Sequence, residues 1–363
     1  MKPQTPARRR FIKQGILGAS ALSLSRLNVL AQPAKDRLGV ALVGLGQYSA
    51  NLLAPALQRT KYCYLAGIVT GTPAKAEQWK RQYGIPDRNI YDYQSMDRIA
   101  NNPDIDVVYI VLPNALHAEY AIRAANAGKH VWCEKPMALT IKECEAMLKA
   151  CRDNKVKLAI GYRMQHEPNT QAVIRFGKDR VYGPIKSISA AAGFYYTRTN
   201  HWRQEKSMGG GAMYDMGVYS LQAARYCSGE EPVAVIAQQS TNRPEIFQDV
   251  DETMTFDLEF PSGIKAQCKT SFAMSMNSLR VNCEKGWYQL EPFQAYSGIR
   301  GSTSDGKTLD ASLDSQQARQ MDDDAFAILH SQPLLVPGEE GLHDIRVVEA
   351  IFSSAKTGRR IVI

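Results

Sequence analysis

Two glycines and a serine near the start of the chain have the spacing of a phosphate-binding turn. An apolar run over residues 39–43 leads into Gly44, Gly46 and Ser49, and a segment with helical periodicity follows over residues 52–57. In the G-x-G-x-x-G/A pattern the first glycine permits a tight turn, and the second lets a pyrophosphate approach the backbone at a helix N-terminus. The third position needs a small residue for close packing of the helix on the strand. The pattern alone is weak, and an ordinary strand–turn–helix connection is the alternative.

The end of the second predicted strand carries a hydroxyl and a cation in place of an acid. Residues 64–69 read as this strand, and Thr70 and Lys75 follow it. A site that prefers NAD usually has Asp or Glu here to hold the ribose 2′-hydroxyl. A hydroxyl and a lysine suit a 2′-phosphate better, so the sequence favours NADP over NAD. A solvated lysine on a helix surface is the alternative for Lys75.

Two polar tripeptides, each containing proline, follow two further predicted strands. Leu112-Pro113-Asn114 comes at the end of residues 106–112, and Glu134-Lys135-Pro136 follows residues 130–133. The carboxyl ends of parallel strands meet at the edge of an open α/β sheet where ligands bind. A lone lysine at such a place is more often a surface charge, but two such tripeptides together indicate a site.

These segments need two kinds of domain to position them. Strands alternate with helices up to about residue 160, which predicts a parallel, doubly wound sheet. Beyond residues 182–184 the pattern changes to strands with alternating polarity around one strong helix at 211–227, which predicts an α+β domain with a large, mostly antiparallel, open-faced sheet. The polar segment 298–314 is predicted to be a loop. We expect a Rossmann NADP-binding domain at 32–160, a substrate and oligomerisation domain at 161–340, and a C-terminal helix and tail at 341–363.

The first 31 residues are predicted to be a targeting segment. They hold six basic residues and no acid, and Arg8-Arg9-Arg10-Phe11-Ile12-Lys13 resembles a twin-arginine export signal. The apolar stretch at 16–24 is too short to span a bilayer. Cleavage after Ala31 is plausible, and a basic amphipathic helix is the alternative. Export would place the protein in the periplasm, with no membrane attachment after cleavage.

The charge and the cysteines exclude several other classes. Without the six basic residues of the first segment, 38 basic residues face 36 acidic ones, so there is no electrostatic case for nucleic-acid binding. Seven cysteines, an odd number with no C-x-x-C pair, argue against a disulfide framework. The six histidines show no metal-binding spacing, so no metal is expected.

Several motifs in order resemble the glucose-fructose oxidoreductase/inositol dehydrogenase/rhizopine catabolism (Gfo/Idh/MocA) family. They are Gly44-Leu-Gly46, the segments 112–117 and 128–136, and the Gly209–Tyr219 segment GGGAMYDMGVY. Further segments resemble the glucose-fructose oxidoreductases of that family: 89–93, Gly161-Tyr162-Arg163, Trp202-Arg203, Arg225-Tyr226 with 229–232, and 337–341.

The resemblance implies roles for individual residues. The family's Glu-Lys-Pro lysine falls on Lys135, beside the nicotinamide and the reacting hydroxyl. Asp215 and Tyr219 are four residues apart on one helix and share a face. Tyr219 would be the acid/base and Asp215 an orienting group. A free tyrosine, with a pKa of about 10, is a weak base near neutral pH, and a nearby Lys135 would favour the tyrosinate.

The candidate cofactor contacts come from the strand ends and from the matched motifs. They are Gly44, Gly46, Gln47, Tyr48, Ser49, Thr70, Lys75, Tyr93, Leu112, Pro113, Asn114, His117, Glu134, Lys135, Arg163, Trp202 and Arg203. His117, Tyr162 and His166 are also candidates for the cleft, and His201 and Tyr296 are weaker ones.

The family resemblance implies a sugar oxidoreductase with tightly bound NADP. We expect it to oxidise an aldose such as glucose to its lactone and to reduce a second sugar such as fructose. The alternatives are a conventional NADP-dependent sugar dehydrogenase or aldose–aldose oxidoreductase, a nicotinamide-dependent glycosidase, and a non-catalytic sugar-binding protein. Only residues 32–37 separate the cleavage site from the first strand, so the cofactor-retaining arm of glucose-fructose oxidoreductases is absent. A homodimer or homotetramer is expected.

Overall fold

Two β-sheets form the fold of this computed structural model, which describes residues 35–363. The predicted export signal at 1–31 therefore lies outside the described residues. Within residues 35–363, no helix combines the length and the apolar character needed to cross a membrane.

The first sheet has six parallel strands in the order β3-β2-β1-β4-β5-β6, which is the Rossmann order. Its strands are apolar along most of their length because helices cover both faces. The predicted doubly wound domain is confirmed. The strands are β1 (Leu38–Val43), β2 (Cys63–Val69), β3 (Ile90–Tyr91), β4 (Val107–Ile110), β5 (His130–Cys133) and β6 (Leu158–Ile160).

Four helices connect these strands. A wide helical turn over Ser49–Leu53 continues directly into the first of them. Thr72 precedes the second helix, and Pro73 opens it, since proline suits the first helical position. The helices are α1 (Ala54–Leu57), α2 (Pro73–Tyr83), α3 (His117–Asn126) and α4 (Ile141–Asp153).

The second sheet has nine strands in the order β14-β13-β12-β11-β7-β10-β9-β8-β15. Its neighbours are antiparallel except β7 and β10, which are parallel. Buried and exposed residues alternate along β10, as expected of a sheet with one covered face. The strands are β7 (Ile185–Gly193), β8 (Ala234–Ser240), β9 (Thr253–Glu259), β10 (Lys265–Ser271), β11 (Met276–Cys283), β12 (Trp287–Leu290), β13 (Gly301–Thr303), β14 (Thr308–Leu309) and β15 (Ile361–Val362).

Helices α5 (Pro168–Lys178) and α6 (Val218–Ser228) pack against this sheet. A wide helical turn over Met213–Gly217 leads into α6. Helix α5 is absent from the sequence-based prediction, although its signals are present. The Glu167 side chain caps it by accepting from the backbone N–H of Thr170 at 2.6 Å, and Pro168 opens it.

The prediction of a loop over residues 298–314 is wrong. This segment contains the hairpin of β13 and β14, which turns at Gly306 with a φ of +84°. The two strands lie at the edge of the sheet, where polar side chains are usual because one side faces water. The polar composition of this segment therefore made a short edge hairpin resemble a loop.

The chain ends in two helices that return to both sheets. Met321 and Ala325 of α7 (Gln316–Leu329) pack into the apolar core of the first sheet. Helix α8 (Gly338–Thr357) contacts β8 of the second sheet as well as α4 and β6 of the first domain.

Two of the family-like motifs meet at a buried ion cluster between α6 and α8. The guanidinium of Arg225 donates to Asp344, Glu231 and Glu340, and the phenol of Tyr226 donates to Glu340 at 2.9 Å. The Asp344 side chain is fully buried, and that of Arg225 is 3% exposed. The cluster fixes α8 against α6. Helix α6 also carries Tyr219.

Replacing Asp344 by Ala should destabilise the fold by about 3 kcal/mol or more, because it leaves the Arg225 guanidinium buried without its innermost partner. Urea unfolding followed by circular dichroism measures the change. Glu339→Gln, an exposed change on the same helix, is the matched control and should cost little. Equal stabilities of the two variants would contradict this role for the cluster.

Candidate active site

The glycine turn has the backbone conformation that the sequence pattern demands. Gly44 has a φ of +94°, and a side chain there would lie 2.4 Å from the carbonyl oxygen of Val111. Ser49 is fully buried, and its hydroxyl donates to the carbonyl oxygen of Gly44 at 2.6 Å. The serine thus closes the turn as well as being small, a role the sequence alone did not indicate.

The same turn has room for a dinucleotide. A Cβ added to Gly46 would meet no atom within 4 Å, so the backbone there is open to a ligand. Gln47 is exposed and Tyr48 is half-buried at the start of the following helix. A pyrophosphate fits this position, because an open glycine backbone and a helix N-terminus are what it requires.

Lys75 lies next to this turn. Its ammonium group donates to the carbonyl oxygen of Leu45 at 3.2 Å, which places a cation across from the end of β2. Thr70 is buried there and accepts a hydrogen bond from the backbone N–H of Thr72 at 3.3 Å. Tyr93 lies beside Gly71, whose added Cβ would come within 3.2 Å of its ring. The residues at this strand end form one side of the candidate cofactor site.

The proline tripeptide after β4 is tied to its surroundings. Leu112 and Pro113 are half-buried, and Leu112 packs against Gly44. Asn114 is buried and donates its amide to the carbonyl oxygen of Gly209 at 2.8 Å. This bond joins the first domain to the segment that enters the helix of the second.

His117 differs from the expectation that it contacts the cofactor. Its side chain is fully buried, and its ring nitrogens lie 2.8 Å from the carbonyl oxygen of Pro136 and 2.9 Å from that of Leu112. Burial lowers the pKa of His117, and the two carbonyl groups oppose this. The histidine therefore joins the two proline tripeptides to each other and leaves no ring nitrogen free for a ligand.

Glu134 points into the protein. Its carboxylate accepts a hydrogen bond from the phenol of Tyr109 at 2.7 Å, and Tyr109 accepts one from Gln320 at 3.3 Å. Burial raises the pKa of Glu134, while Tyr109, Lys135 and Arg163 oppose the shift. Gly161 lies so close that an added Cβ would be 2.7 Å from the Glu134 carboxylate.

The predicted catalytic residues lie together. The Lys135 ammonium donates to the backbone oxygen of Asp215 at 2.8 Å and lies 3.5 Å from its carboxylate. It is also 5.0 Å from the centre of the Tyr219 ring. The Arg203 side chain donates to the Asp215 carboxylate at 2.8 and 3.3 Å. The sequence placed Arg203 near the cofactor, but its pairing with Asp215 follows only from the three-dimensional structure.

Electrostatics keep Asp215 and Lys135 charged. Burial alone would raise the pKa of Asp215, but Arg203 and then Lys135 lower it to about 2. Burial would lower the pKa of Lys135, but Tyr219, Asp215 and Glu134 leave it raised. A charged lysine beside a phenol is the arrangement that favours proton transfer to and from that phenol.

A second cation approaches Tyr219 from another side. Arg163 is buried, and its guanidinium carbon lies 5.6 Å from the centre of the Tyr219 ring and 4.5 Å from that of Tyr296. The Tyr296 ring lies 6.0 Å from that of Tyr48 in the glycine turn. The phenols therefore connect the predicted catalytic residues with the candidate cofactor site.

A polar segment after β7, residues 198–203, contacts both Asp215 and the glycine turn. His201 and Trp202 are half-buried, with ring centres 5.6 Å apart, and the guanidinium of Arg203 lies 4.7 Å from the Trp202 ring. Arg198 donates to the side-chain oxygen of Gln47 at 3.0 Å. Sequence reasoning missed Arg198, because nothing distinguishes it from other exposed arginines.

Three glycines let this segment enter the helix of the second domain. Side chains at Gly209, Gly210 and Gly211 would come within 2.3, 2.5 and 2.1 Å of neighbouring atoms. The atom that faces Gly211 belongs to Asp251, whose carboxylate accepts from the backbone N–H of Met213 at 2.7 Å. This buried acid, which the sequence did not reveal, caps the start of the helix that carries Asp215 and Tyr219.

Tyr162 and His166, two candidates for the cleft, are enclosed in the protein. Tyr162 is fully buried, and the charge of Asp344 acts on its phenol. The His166 side chain is also fully buried and lies 2.9 Å from Asp323 of α7. Both follow β6, where the chain turns inward, so neither lines an open cleft.

Helix α7 supports the site with a buried polar face that the sequence did not predict. The side chain of Gln316 accepts from Arg163, that of Gln317 donates to Tyr48 at 3.5 Å, and that of Gln320 donates to Tyr109. Asp324 continues this face and is buried with no hydrogen bond to its carboxylate among the described residues. The sequence of the helix is amphipathic, so its buried glutamines resembled a solvated surface.

No group of three or more His, Cys, Asp or Glu residues suited to a metal ion is found in the described part of the chain. All seven cysteines are free, and six of them are buried.

Comparison with known proteins identifies the family. Residues 38–162 match the model described as "Oxidoreductase family, NAD-binding Rossmann fold", and residues 170–289 match the "GFO/IDH/MocA C-terminal domain". The chain belongs to the Gfo/Idh/MocA family of NAD(P)-binding sugar oxidoreductases and dehydrogenases.

Individual relatives are similar over most of the chain. An aldose-aldose oxidoreductase from Caulobacter crescentus, solved with glycerol, is 39% identical with a TM-score of 0.87, and the match covers 90% of this chain and 100% of that one. A D-xylose 1-dehydrogenase [NADP(+)] of Haloarcula marismortui is 28% identical over 340 residues, which are 87% of this chain and 91% of that protein. A levoglucosan dehydrogenase solved with NADH and levoglucosan shares the fold, at 22% identity and a TM-score of 0.79 over 90% of this chain and 99% of that one.

Asp324→Asn should reduce the dependence of stability on pH. Burial raises the pKa of Asp324 from its ordinary value near 4 to about 7. The folded protein therefore holds a proton that the unfolded chain releases, so stability falls as the pH rises from about 4 to 7. The free energy of unfolding, measured from pH 5 to 8, should decline less in the variant than in the parent.

Asp323→Asn is the control for this measurement. Burial would raise the pKa of Asp323, but His166 and Arg319 leave it lowered, so its contribution is lost only in acid. The control should keep the parent's decline between pH 5 and 8. An unchanged decline in Asp324→Asn would contradict a protonated Asp324.

Proposed function

We propose that this protein is an NADP-dependent sugar oxidoreductase that oxidises an aldose at its anomeric carbon to a lactone and reduces the carbonyl group of a second sugar. The observation that supports it is the cluster of Lys135, Asp215 and Tyr219, which Arg163 and Tyr296 link to Tyr48 of the open glycine turn. In this cluster a phenol and a cation lie together beside a site that fits a dinucleotide.

The residues of the chain supply proton transfer and positioning. A bound nicotinamide dinucleotide would supply the acceptor and donor of hydride. Tyr219 takes the proton of the anomeric hydroxyl during oxidation and returns a proton to the carbonyl oxygen during reduction. Lys135 stabilises the negative charge that develops on oxygen in both directions, and Asp215 holds Lys135 in place.

The end of β2 and one relative support NADP as the cofactor. Lys75 and Thr70 lie at the end of β2, where a 2′-phosphate would need a cation and a hydroxyl, and no acid ends that strand. The similar xylose dehydrogenase is named for NADP(+). The levoglucosan dehydrogenase of the same fold was solved with NADH, so the choice between the two cofactors depends on this strand end.

The second sugar distinguishes two versions of the proposal. The sequence resemblance favours a ketose such as fructose, and similarity to an aldose-aldose oxidoreductase favours an aldose. The similar xylose dehydrogenase favours a second candidate function, a conventional NADP-dependent sugar dehydrogenase that releases the reduced cofactor.

Export would favour a cofactor that stays bound to the protein. The twin-arginine pathway moves folded proteins, so the chain could bind NADP in the cytoplasm and retain it in the periplasm. The open face of the second sheet is our proposed contact for a homodimer or homotetramer.

In protein purified without added nucleotide, one sugar should reduce the bound cofactor and a second sugar should reoxidise it. We expect absorbance at the reduced-nicotinamide band to rise with glucose and to fall again with a second sugar, because one site carries out both half-reactions. Fructose and xylose, added separately, distinguish a ketose from an aldose acceptor. Reduction that requires added NADP in excess would support the conventional dehydrogenase.

Tyr219→Phe should lower the rate of both absorbance changes by at least about 100-fold while the cofactor stays bound, since general acid–base catalysis contributes factors of this size. Tyr214→Phe is the matched control in the same helical segment. The phenol of Tyr214 donates to the backbone oxygen of Leu139 at 2.8 Å and not toward Lys135. Full activity of Tyr219→Phe would contradict its role as the acid/base.

Lys75→Ala should weaken binding of NADP about tenfold or more and leave binding of NAD nearly unchanged, because only NADP carries the 2′-phosphate. Isothermal titration of protein stripped of nucleotide measures both affinities. Lys80→Ala on the same helix, whose lysine pairs with Asp87, is the control. Equal losses for the two cofactors in Lys75→Ala would contradict this recognition.

A further inference from the structure

Arg163 is a buried cation whose hydrogen bonds go to neutral groups. One of its terminal nitrogens donates to the backbone oxygen of Ala295 at 2.8 Å and to the side-chain oxygen of Gln316. Its Nε is buried with no hydrogen-bond partner, and no carboxylate within residues 35–363 forms an ion pair with it. A buried charge without a countercharge costs several kcal/mol, so this placement needs an explanation.

The other cations of the site have a carboxylate partner. Lys135 and Arg203 both pair with the Asp215 carboxylate, at 3.5 and 2.8 Å. Glu134 receives a hydrogen bond from Tyr109. Among the described residues, Arg163 is therefore the cation of this cluster that has no carboxylate in ion-pair contact, although its charge acts on Glu134 at longer range.

Phenols surround the Arg163 guanidinium. Burial lowers its pKa, but Tyr219, Tyr48 and Tyr296 outweigh burial and leave the pKa raised. The guanidinium carbon lies 5.6 Å from the centre of the Tyr219 ring and 4.5 Å from that of Tyr296. Tyr219 is the buried one, 8% exposed, whereas Tyr296 is 51% exposed.

We propose that Arg163 is the electrostatic partner of Tyr219 and stabilises its phenolate during proton transfer. Gln316 and the Ala295 carbonyl hold the guanidinium in position without cancelling its charge. Arg163 is thus a positioning residue that acts through Tyr219, and the proposal rests on the acid/base role proposed above for that tyrosine. The charged and titratable groups that act on the same cluster are Lys135, Asp215, Glu134, Tyr48 and Tyr296.

The pH dependence of hydride transfer tests this role. In the protein with bound cofactor, the rate of absorbance change with glucose is measured from pH 5.5 to 9.5. Arg163→Met should move the acid limb of this profile upward by about one to two pH units, lowering the rate at pH 7 roughly 10- to 100-fold. The rate at high pH should stay within a few-fold of the parent, because the phenolate then forms without help.

Two further variants separate charge from packing. Arg163→Lys keeps the charge and should restore most of the acid limb. Gln316→Leu keeps the guanidinium but removes the side chain that holds it. This variant should shift the acid limb upward by a smaller amount than Arg163→Met. It also tests the proposal if Arg163→Met does not fold. Arg280→Met is the matched control, since Arg280 is likewise held by an amide, Gln289, at 2.8 Å and lies 4.1 Å from the Trp287 ring.

A spectroscopic titration gives a result that does not depend on activity. In protein labelled with ¹³Cζ-tyrosine, the signal lost in Tyr219→Phe identifies Tyr219, and its titration should move to higher pH in Arg163→Met. An unmoved signal would overturn the proposal even if the variant were inactive. Loss of sugar oxidation in the parent, or full activity of Tyr219→Phe, would instead contradict the proposed function, and the titration would still report on Arg163.

Discussion

The site depends on one buried carboxylate, that of Asp215, which receives hydrogen bonds from two cations on separate parts of the chain. Lys135 follows β5 of the first sheet, Arg203 follows β7 of the second, and Asp215 itself lies at the start of the catalytic helix. Burial would protonate this carboxyl group, and only the two cations keep it ionised. Because each partner comes from a different element, forming the triad fixes the catalytic helix against the end of β5. The phenol of Tyr219, four residues later, is placed by the same contact.

A second layer holds these residues in position. Helix α7 contributes Gln316 to Arg163 and Gln320 to Tyr109, and Tyr109 in turn holds Glu134. Neutral amides are suited to this work, since they orient charged groups by hydrogen bonds and add no charge of their own. This arrangement leaves several buried polar atoms without hydrogen-bond partners among the described residues, including both carboxyl oxygens of Asp324. Buried polar atoms without hydrogen bonds lower the stability of the fold.

The sequence predicts those parts of the site that rest on local chemistry. Gly44 and Gly46 could be recognised because a turn next to a phosphate restricts the backbone, and Lys135 because it follows a buried parallel strand. His117 could not be assigned, since its two carbonyl partners come from loops that only the folded sheet brings together. The fold was predictable for the same reason: continuous apolar strands mark a parallel sheet, whereas the edge hairpin at residues 301–309 has the composition of a loop. Contacts between distant segments, such as Gln316 with Arg163, leave no pattern along the chain.

Burial of the acid/base has a consequence for the proposed cycle. Oxidation of one sugar releases a hydride and a proton, and reduction of the second consumes both. A tyrosine that is 8% exposed can hold the proton between the two half-reactions, with little exchange with solvent. It must then accept a proton as readily as it returns one, which requires the phenol and the phenolate to have similar free energies at the working pH. An unassisted phenol does not meet this condition near neutral pH, and Lys135, which is paired with Asp215, contributes only part of what is needed. In our proposal the remainder comes from Arg163, which lies 5.6 Å from the centre of the Tyr219 ring and has no ion-pair partner among the described residues.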